Sequence, residues 1–522
     1  VARPPLPRQI PFIIANEAGE RFGFYGMRNV LTKFLVGYLL ITAPAAEREG
    51  DAKEVFHAFV MGVYFFPLLG GWLADRRWGR YHTILRLSVA YTLGYALLAA
   101  STGWRPGFYA GLFLIALGSG GIKPCVSTFV GDQLDQSTKG LAKPVFAAFY
   151  WVINFGSFFA SLLIPLVLVG GDEPWRPAAA FGIPGALMAV ATLVFWLGRH
   201  RYIRVAPAAA DPHGFVEVVR TALGGGRGRA LGLAGLVLAV GALGLIPFVG
   251  AIAGLCLALV VVLGFGGVGA ALELERARGV HPDAAVDGVR SVLQVLVIFA
   301  LVSAFWSLFD QKASTWILQG EAMALPGWGW FKSASQMQAL NPALVMVLIP
   351  LTSVVLYPAS ARLGLELTPL RRMALGIGLS GLAWVSVGML QLEVDAVKRQ
   401  GLTVPVLWQA VPYALLTLGE VLVSTTGLEF AYSQAPAQMK SVVAAFWSLS
   451  VTVGNLWVLL VNSVVRNPRV IAAIESRGYG VMASQMFFFA GFAGLAALVF
   501  ALYARRYTMV DHYRPAQASS PR

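Results

Sequence analysis

Apolar runs of bilayer-spanning length follow one another along this chain of 522 residues. They lie at roughly 12–42, 54–74, 82–101, 107–130, 144–169, 178–197, 229–246, 248–272, 289–319, 335–357, 372–391, 406–430, 440–465 and 482–504, with about 20 residues needed to span lipid. Each run is therefore predicted to be a membrane helix, and the chain an all-α polytopic membrane protein with about fourteen crossings. A content of 57% hydrophobic and 13% charged residues agrees, lying outside the range of soluble domains.

The net charge of +14 would point to nucleic acid in a soluble protein. Here the basic residues fall mostly in short loops, which is the positive-inside pattern. With the N-terminus in the cytoplasm, that side collects most of them, among them Arg76, Arg77, Arg80, Arg199, Arg201, Arg204, Arg371, Arg372, Arg505 and Arg506. This predicts a multi-pass protein of the inner (plasma) membrane with both termini cytoplasmic and no nucleic-acid partner. Cys125 and Cys256 form no CxxC pair and stand in no His/Cys cluster, so neither a disulfide framework nor a zinc site is expected. The opening VARPPLPRQIPF leads into an apolar run too long and too charged for a cleaved signal peptide, so it reads as a retained first helix.

Two stretches break the regular spacing: a basic, Gly-containing linker at 198–228 and a mixed-charge one at 273–288. Between them Leu231 to Leu272 carries no charge and is interrupted near Pro247, as a hairpin that crosses and returns would be. The division expected is an N-terminal six-helix bundle (1–200), a linker and inserted hairpin region (201–288), a C-terminal six-helix bundle (289–510) and a cytoplasmic tail (511–522). Transporters are often built from two such halves, with the substrate site between them near the midplane.

Charges inside membrane helices are costly and mark function by default. The first run holds four in NEAGERFGFYGMRNV: Glu17, Glu20, Arg21 and Arg28. Positions 17, 21, 24 and 28 share one helical stripe and 20 lies beside it, so both carboxylates can reach Arg21. A static ion-pair cluster is the competing reading. Elsewhere His57, Lys123, Asp310 and Glu420 complete the set. Arginine and lysine lie in the first half, Asp310 and Glu420 in the second, so salt bridges could join the halves at one end and break when a substrate or proton competes. A local pair of Asp310 with Lys312 is the alternative. His57 is placed near the outer surface by the topology, and it is the one side chain here that titrates near neutrality without help. Asn154, Asn341, Tyr25, Tyr64 and Trp447 add polar or aromatic groups.

These residues carry a family resemblance. NEAGERFGFYG resembles the ExxERFxYYG motif of the proton-dependent oligopeptide transporters (POT/PTR), and AFYWVINFGS their FYxxINxGS signature. GGIKPCVSTFVGDQ, FWSLFDQKAS and LTLGEVLVSTTGLEFAYSQAPAQMKS are similar to other helices of that family, closest in wording to its animal members. GGWLADRRWGR fits the broader major facilitator motif. The resemblance implies a major facilitator fold of twelve core helices in two six-helix bundles, with the two extra helices that bacterial members often carry between the halves. It implies proton-coupled symport of di- and tripeptides by alternating access. Glu17, Glu20 and Arg21 would be the proton-coupling cluster, with His57 and Asp310 contributing. Arg28 and Lys123 would face the peptide carboxylate, while Glu420, Asn154 and Asn341 would face its amino end and backbone. Asp310 would serve the outer gate with Arg28 or His57; apart from the resemblance, Tyr25 and Tyr64 offer hydroxyls and Trp447 an aromatic wall as substrate-binding candidates. The family's first tyrosine in this motif is Phe24 here, which removes one hydroxyl.

A zwitterionic peptide separates its charges by roughly 6–10 Å in the shorter cases, and opposite charges in opposite halves suit it. No Walker A sequence is present, so protons and not ATP are the expected energy source, with no cofactor. Asp75, at the cytoplasmic end of the second helix, could latch the N-terminus of the eleventh near Ser441. The expected partners are peptides and the bilayer, with the protein acting as a monomer. Alternatives are a same-fold carrier of another anionic or amphipathic solute, such as nitrate or a drug-like acid, and a peptide-sensing receptor without net transport. No nucleophile, base and orienting group cluster as an enzyme would need.

Overall fold

The computed structural model describes residues 7–134, 142–207, 211–434 and 439–507, so the tail expected at 511–522 lies outside the described residues. Apart from two isolated bridges, Arg278 with His281 and Ala324 with Pro405, the regular structure is helical. Among the described residues, twelve segments are long and apolar enough to cross a membrane. One of them, Glu47–Ala100, holds two helices that part at Gly79, whose φ of 72° suits glycine. The first helix, with five charges inside it, is not among the twelve. Counting both returns the crossings that the apolar runs predict.

In chain order the helices are α1 Ile10–Phe34, α2 Ala45–Phe65, α3 Gly79–Ala100, α4 Arg105–Asp132, α5 Ala142–Val169 and α6 Arg176–Leu197. The hairpin is α7 Gly226–Leu243 and α8 Ala251–Leu272. The second half is α9 Asp283–Phe309, α10 Leu340–Leu351, α11 Pro369–Lys398, α12 Ala410–Glu420, α13 Lys440–Val465 and α14 Val481–Ala504. Several run on past a break: α2 through Pro67–Leu73, α9 through a tight turn at Asp310–Ala313 into Thr315–Glu321, and α12 through a wide π turn at Val421–Thr425.

Two hydrophobic cores organise the helices as the two bundles of a major facilitator fold. One draws on residues from Ile10 to Tyr202 together with Ala313, the other on residues from Val218 to Phe500, and Tyr64 packs against both. In the first bundle α1 lies against α5 and α6, and α3 against α4 and α6; in the second α9 lies against α13, and α11 against α12 and α14. Glycine permits the closest approaches, as expected where lipid gives no hydrophobic drive. A side chain on Gly70 would strike the backbone of Gly121, and one on Gly454 would come within 2.6 Å of the Trp306 Cβ. The first contact fixes α4 two residues before Lys123; the second seats α13 against α9.

The hairpin follows the same rule. Its buried residues are small, including Gly235, Ala239, Ala242, Ala253, Gly254 and Ala258, while Leu233, Val237, Val240 and Leu255 face outward. At its tip it crosses the seam between the bundles, where Met61 of α2, Ala253 of α8 and Leu456 and Leu459 of α13 share one small core.

Candidate functional site

The charges on α1 divide into two groups because its stripe turns slowly past different neighbours. Arg21 Nε stands 2.6 Å from Glu17 Oε1 and 3.0 Å from Glu20 Oε2, and Ser119 of α4 donates to Glu20 Oε1 at 2.9 Å. Both carboxylates are buried inside the first bundle. Two turns on, Arg28 leaves that cluster for the other bundle: its Nη2 lies 2.5 Å from Asp310 Oδ1, 282 residues away in sequence. Asp310 Oδ2 accepts from Asn455 of α13 at 2.8 Å, Asn455 Oδ1 lies 2.6 Å from His57 Nδ1, and His57 Nε2 lies 2.9 Å from Ser314 Oγ.

His57 is fully buried, not at the outer surface. The correction has a simple cause. Helix α2 begins at Ala45, about two and a half turns earlier than the apolar run suggests, because AAEREGDAKE is helical although it is too charged to count as membrane-spanning. The local Asp310–Lys312 pair is also absent. The tight turn at Asp310–Ala313 sends the two side chains apart: Asp310 to Arg28, and Lys312 Nζ to Asn341 Oδ1 at 2.8 Å. Asn341 Nδ2 in turn donates to Glu420 Oε2 at 2.6 Å, so Lys312, Asn341 and Glu420 form one chain of contacts within the second bundle. The π turn that follows Glu420 marks a local departure from α geometry of the kind that often accompanies function.

A cavity of about 120 Å³ lies between the bundles and is lined by Tyr25, Arg28, Tyr64, Asp310, Lys312, Asn341 and Glu420, with Phe24, Asn29, Ser157, Trp306, Phe309, Gln338 and Pro342. Lys123 stands behind it. Its Nζ lies 4.6 Å from the Phe24 ring centroid and 4.1 Å from that of Tyr64, held by two aromatic faces with no carboxylate bonded to it among the described residues. Phe24 thus lacks the tyrosine hydroxyl yet still offers the ammonium a π face.

Three expected residues lie elsewhere. Asn154 donates to Tyr150 O on its own helix. Trp447 packs edge-on against Phe299 and Trp306, of which Trp306 reaches the cavity. Asp75 lies 3.9 Å from Arg80, while the side chain of Ser441, its expected partner region, lies outside the described residues. Lys312 and Asn455 were missed as site residues. Lys312 was legible as an intramembrane charge, with a local pair to Asp310 only as an alternative; Asn455, an amide alone in VTVGNLWVLL, answers to the same rule that singled out Glu420.

Among the described residues, the polar contacts joining the bundles gather at one end, where α1 finishes. Besides the Arg28–Asp310 pair they include Thr32 Oγ1 to Ala313 O at 2.7 Å, Lys33 Nζ to Glu321 at 2.6 Å, Gln338 Nε2 to Asn29 O at 3.1 Å and Arg466 to Asp51 at 2.6 Å. The cavity is closed toward that end.

The chain matches the family model described as the POT family over residues 81–226 and 270–478. It is 29% identical over 416 residues to solute carrier family 15 member 1 of Homo sapiens, covering 74% of this chain and 52% of that protein. It is 34% identical over 419 residues to peptide transporter family 1 of Caenorhabditis elegans, covering 74% and 45%. The chain thus spans about half the length of these animal relatives. Its structure is similar to the in meso crystal structure of the POT family transporter PepTSo, with a TM-score of 0.93 and 60% identity, covering 98% of this chain and 100% of that one.

Proposed function

The chain belongs to the POT family, and from that premise we propose that it is a proton-coupled symporter that imports di- and tripeptides by alternating access. The observation that carries this reading is the single cavity to which one bundle brings Arg28 and the other brings Asp310, Lys312 and Glu420. A zwitterion can replace the contacts these groups make with one another: its carboxylate draws Arg28 and Lys123, and its ammonium draws Glu420. A plain anion such as nitrate has no use for Glu420.

Recognition of the two ends by charge needs no contact to particular side chains, which favours breadth over selectivity. Tyr25, Tyr64 and Asn341 bound the space between the poles, and Asn154 and Trp447 belong to the supporting wall. Coupling is assigned to two places. Protonation of the Glu17/Glu20 pair loosens Arg21, and a proton reaching the His57–Asn455–Asp310 chain weakens the hold of Asp310 on Arg28. The second event opens the end of the molecule at which the bundles touch. One proton moving through 100 mV is worth about 2.3 kcal/mol, enough for peptide accumulation on the order of fiftyfold.

The bundles 1–200 and 289–510 would rock about this cavity, with 201–288 as linker and hairpin; two separate cores support that division. Protons are the coupling ion and no cofactor is required. With both termini cytoplasmic in the inner membrane, as the basic loops favour, the closed end faces outward and the arrangement described is inward-facing, with Asp75 on the cytoplasmic side as a latch of the opposite state. A monomer suffices for the cycle.

The experiment is dialanine uptake into proteoliposomes under an imposed inward proton gradient. Accumulation that collapses with an uncoupler is expected. Uptake indifferent to the gradient, or absent for dialanine and tripeptides but present for nitrate, would overturn the reading.

A further inference from the structure

A second cavity, of about 820 Å³, lies between α2, α4 and α8, outside the seam that the transport cycle uses. Its lining is graded. Asp51, Glu54, Arg105 and Tyr109 stand at one end, while Phe65 and Phe113 stand at the other. Both α2 and α4 have an end near the charged residues, since they begin at Ala45 and Arg105. From Asp51 to Phe65 the helix advances about 21 Å at 1.5 Å per residue, enough to run from the headgroup level to the midplane of a core about 30 Å thick.

The charges at the polar end balance in number, two guanidinium groups against two carboxylates, but they are paired unequally. One guanidinium, Arg466, serves two carboxylates, Asp51 at 2.6 Å and Glu54 at 3.2 Å, leaving negative charge in excess. Among the described residues Arg105 bonds only to neutral groups, Thr42 Oγ1 at 2.8 Å and Leu39 O at 3.4 Å, so its charge has no bonded carboxylate. The cavity therefore presents both signs at one end of an apolar slot. The hairpin closes one side, and its tip leaves no spare room: a Cβ on Gly250 would lie 2.8 Å from Glu54 Oε1. Water is disfavoured in a slot so apolar, whereas hydrocarbon is at hand.

We propose that this cavity is a binding site for a phospholipid with a primary-ammonium headgroup. Arg105 takes the phosphate, Asp51 and Glu54 take the ammonium, and an acyl chain descends between α2 and α8 toward Phe65. The site is at the leaflet where α1 finishes, and the lipid wedges the hairpin against the first bundle beside the seam core.

The test is native mass spectrometry of the full chain, exposed to phosphatidylethanolamine, phosphatidylcholine and phosphatidylglycerol of identical acyl chains. A primary ammonium donates hydrogen bonds to carboxylates and a quaternary one cannot, so retention of the ethanolamine lipid is expected to exceed that of choline lipid about tenfold. Arg105→Gln, which removes the phosphate contact, and Ala58→Trp, which fills the slot, should each remove most of the retention of the ethanolamine lipid. Dialanine counterflow identifies any variant that has failed to fold. Equal retention of all three lipids, or a preference for phosphatidylglycerol, would overturn the headgroup assignment. Retention unmoved by both folded variants would place the lipid elsewhere, and a lipid-free dimer mass would give the groove to a second copy of the chain; either result overturns the site.

Discussion

Replacing Asp310 with asparagine isolates the contact on which closure at one end depends. The Arg28 and Asp310 side chains are only 6% and 3% exposed, so the variant leaves a buried guanidinium facing a neutral amide. Removing one partner of a buried pair costs about 3–5 kcal/mol, a cost felt only while that end stays closed, because opening hydrates Arg28. The neighbouring ties cannot make up the difference. Lys33–Glu321 is partly exposed and worth at most about 1 kcal/mol, and the Thr32 hydroxyl contributes about as much. A loss of about 3 kcal/mol moves a two-state equilibrium about 150-fold. Spin labels at Glu47 and Arg469, both exposed and placed on either side of the seam at that end, would read it as a longer distance population in pulsed dipolar spectroscopy. Arg28→Gln combined with Asp310→Asn should recover part of the shift, since no buried charge remains. Superimposable distance distributions for wild type and Asp310→Asn would refute the reasoning.

Glu17→Gln or Glu20→Gln should abolish proton-driven dialanine uptake while sparing exchange at equal concentrations; full driven uptake by both variants would remove the coupling role. Glu420→Gln deletes a charge-assisted contact worth about 1.5–3 kcal/mol, so the KM for dialanine should rise on the order of 10–100-fold, whereas N-acetylated dialanine should be handled alike by both proteins. Phe24→Leu removes one of the two π faces on Lys123, a loss of about 0.5–2 kcal/mol, and uptake should weaken by up to about thirtyfold while Phe24→Tyr retains it. Gly454→Leu drives a side chain into Trp306 and Ser303; overpacking of about 1–3 kcal/mol should lower the melting temperature in detergent, with an unchanged melt as the contrary result.

The helices and their grouping were legible because lipid enforces one simple rule on every segment, and the polar charges within those segments stood out against it. Partnership was less legible. Spacing placed Glu17, Glu20 and Arg21 together since all three ride one helix; charge complementarity anticipated salt bridges between the halves, and the family resemblance named Arg28 or His57 as the partner of Asp310. The alternative pairing of Lys312 with Asp310 fails because adjacency in sequence means little where a helix breaks, and the tight turn at Asp310–Ala313 is invisible to apolar periodicity. His57 was set too near the surface because hydropathy marks where lipid begins and not where the helix does. Asn154, from a family motif, and Trp447, as an aromatic wall, do not reach the cavity, which depends on rotations about helix axes that no pattern of residue types reports.

The pairing of Arg28 with Asp310 also sets a schedule for biogenesis. Glu17 and Glu20 find their common partner, Arg21, within a single helix, so that part of α1 can satisfy its ion pairs without waiting for the rest of the chain. Arg28 cannot, because its counter-ion is made 282 residues later. At about 5–20 residues per second, the ribosome takes roughly 15–60 s to deliver it. Through that interval α1 is a helix whose insertion is incomplete in energetic terms, and the insertion machinery or the membrane surface must shelter it. Helix α1 thus precedes its partner in synthesis by 282 residues and is among the last to be settled.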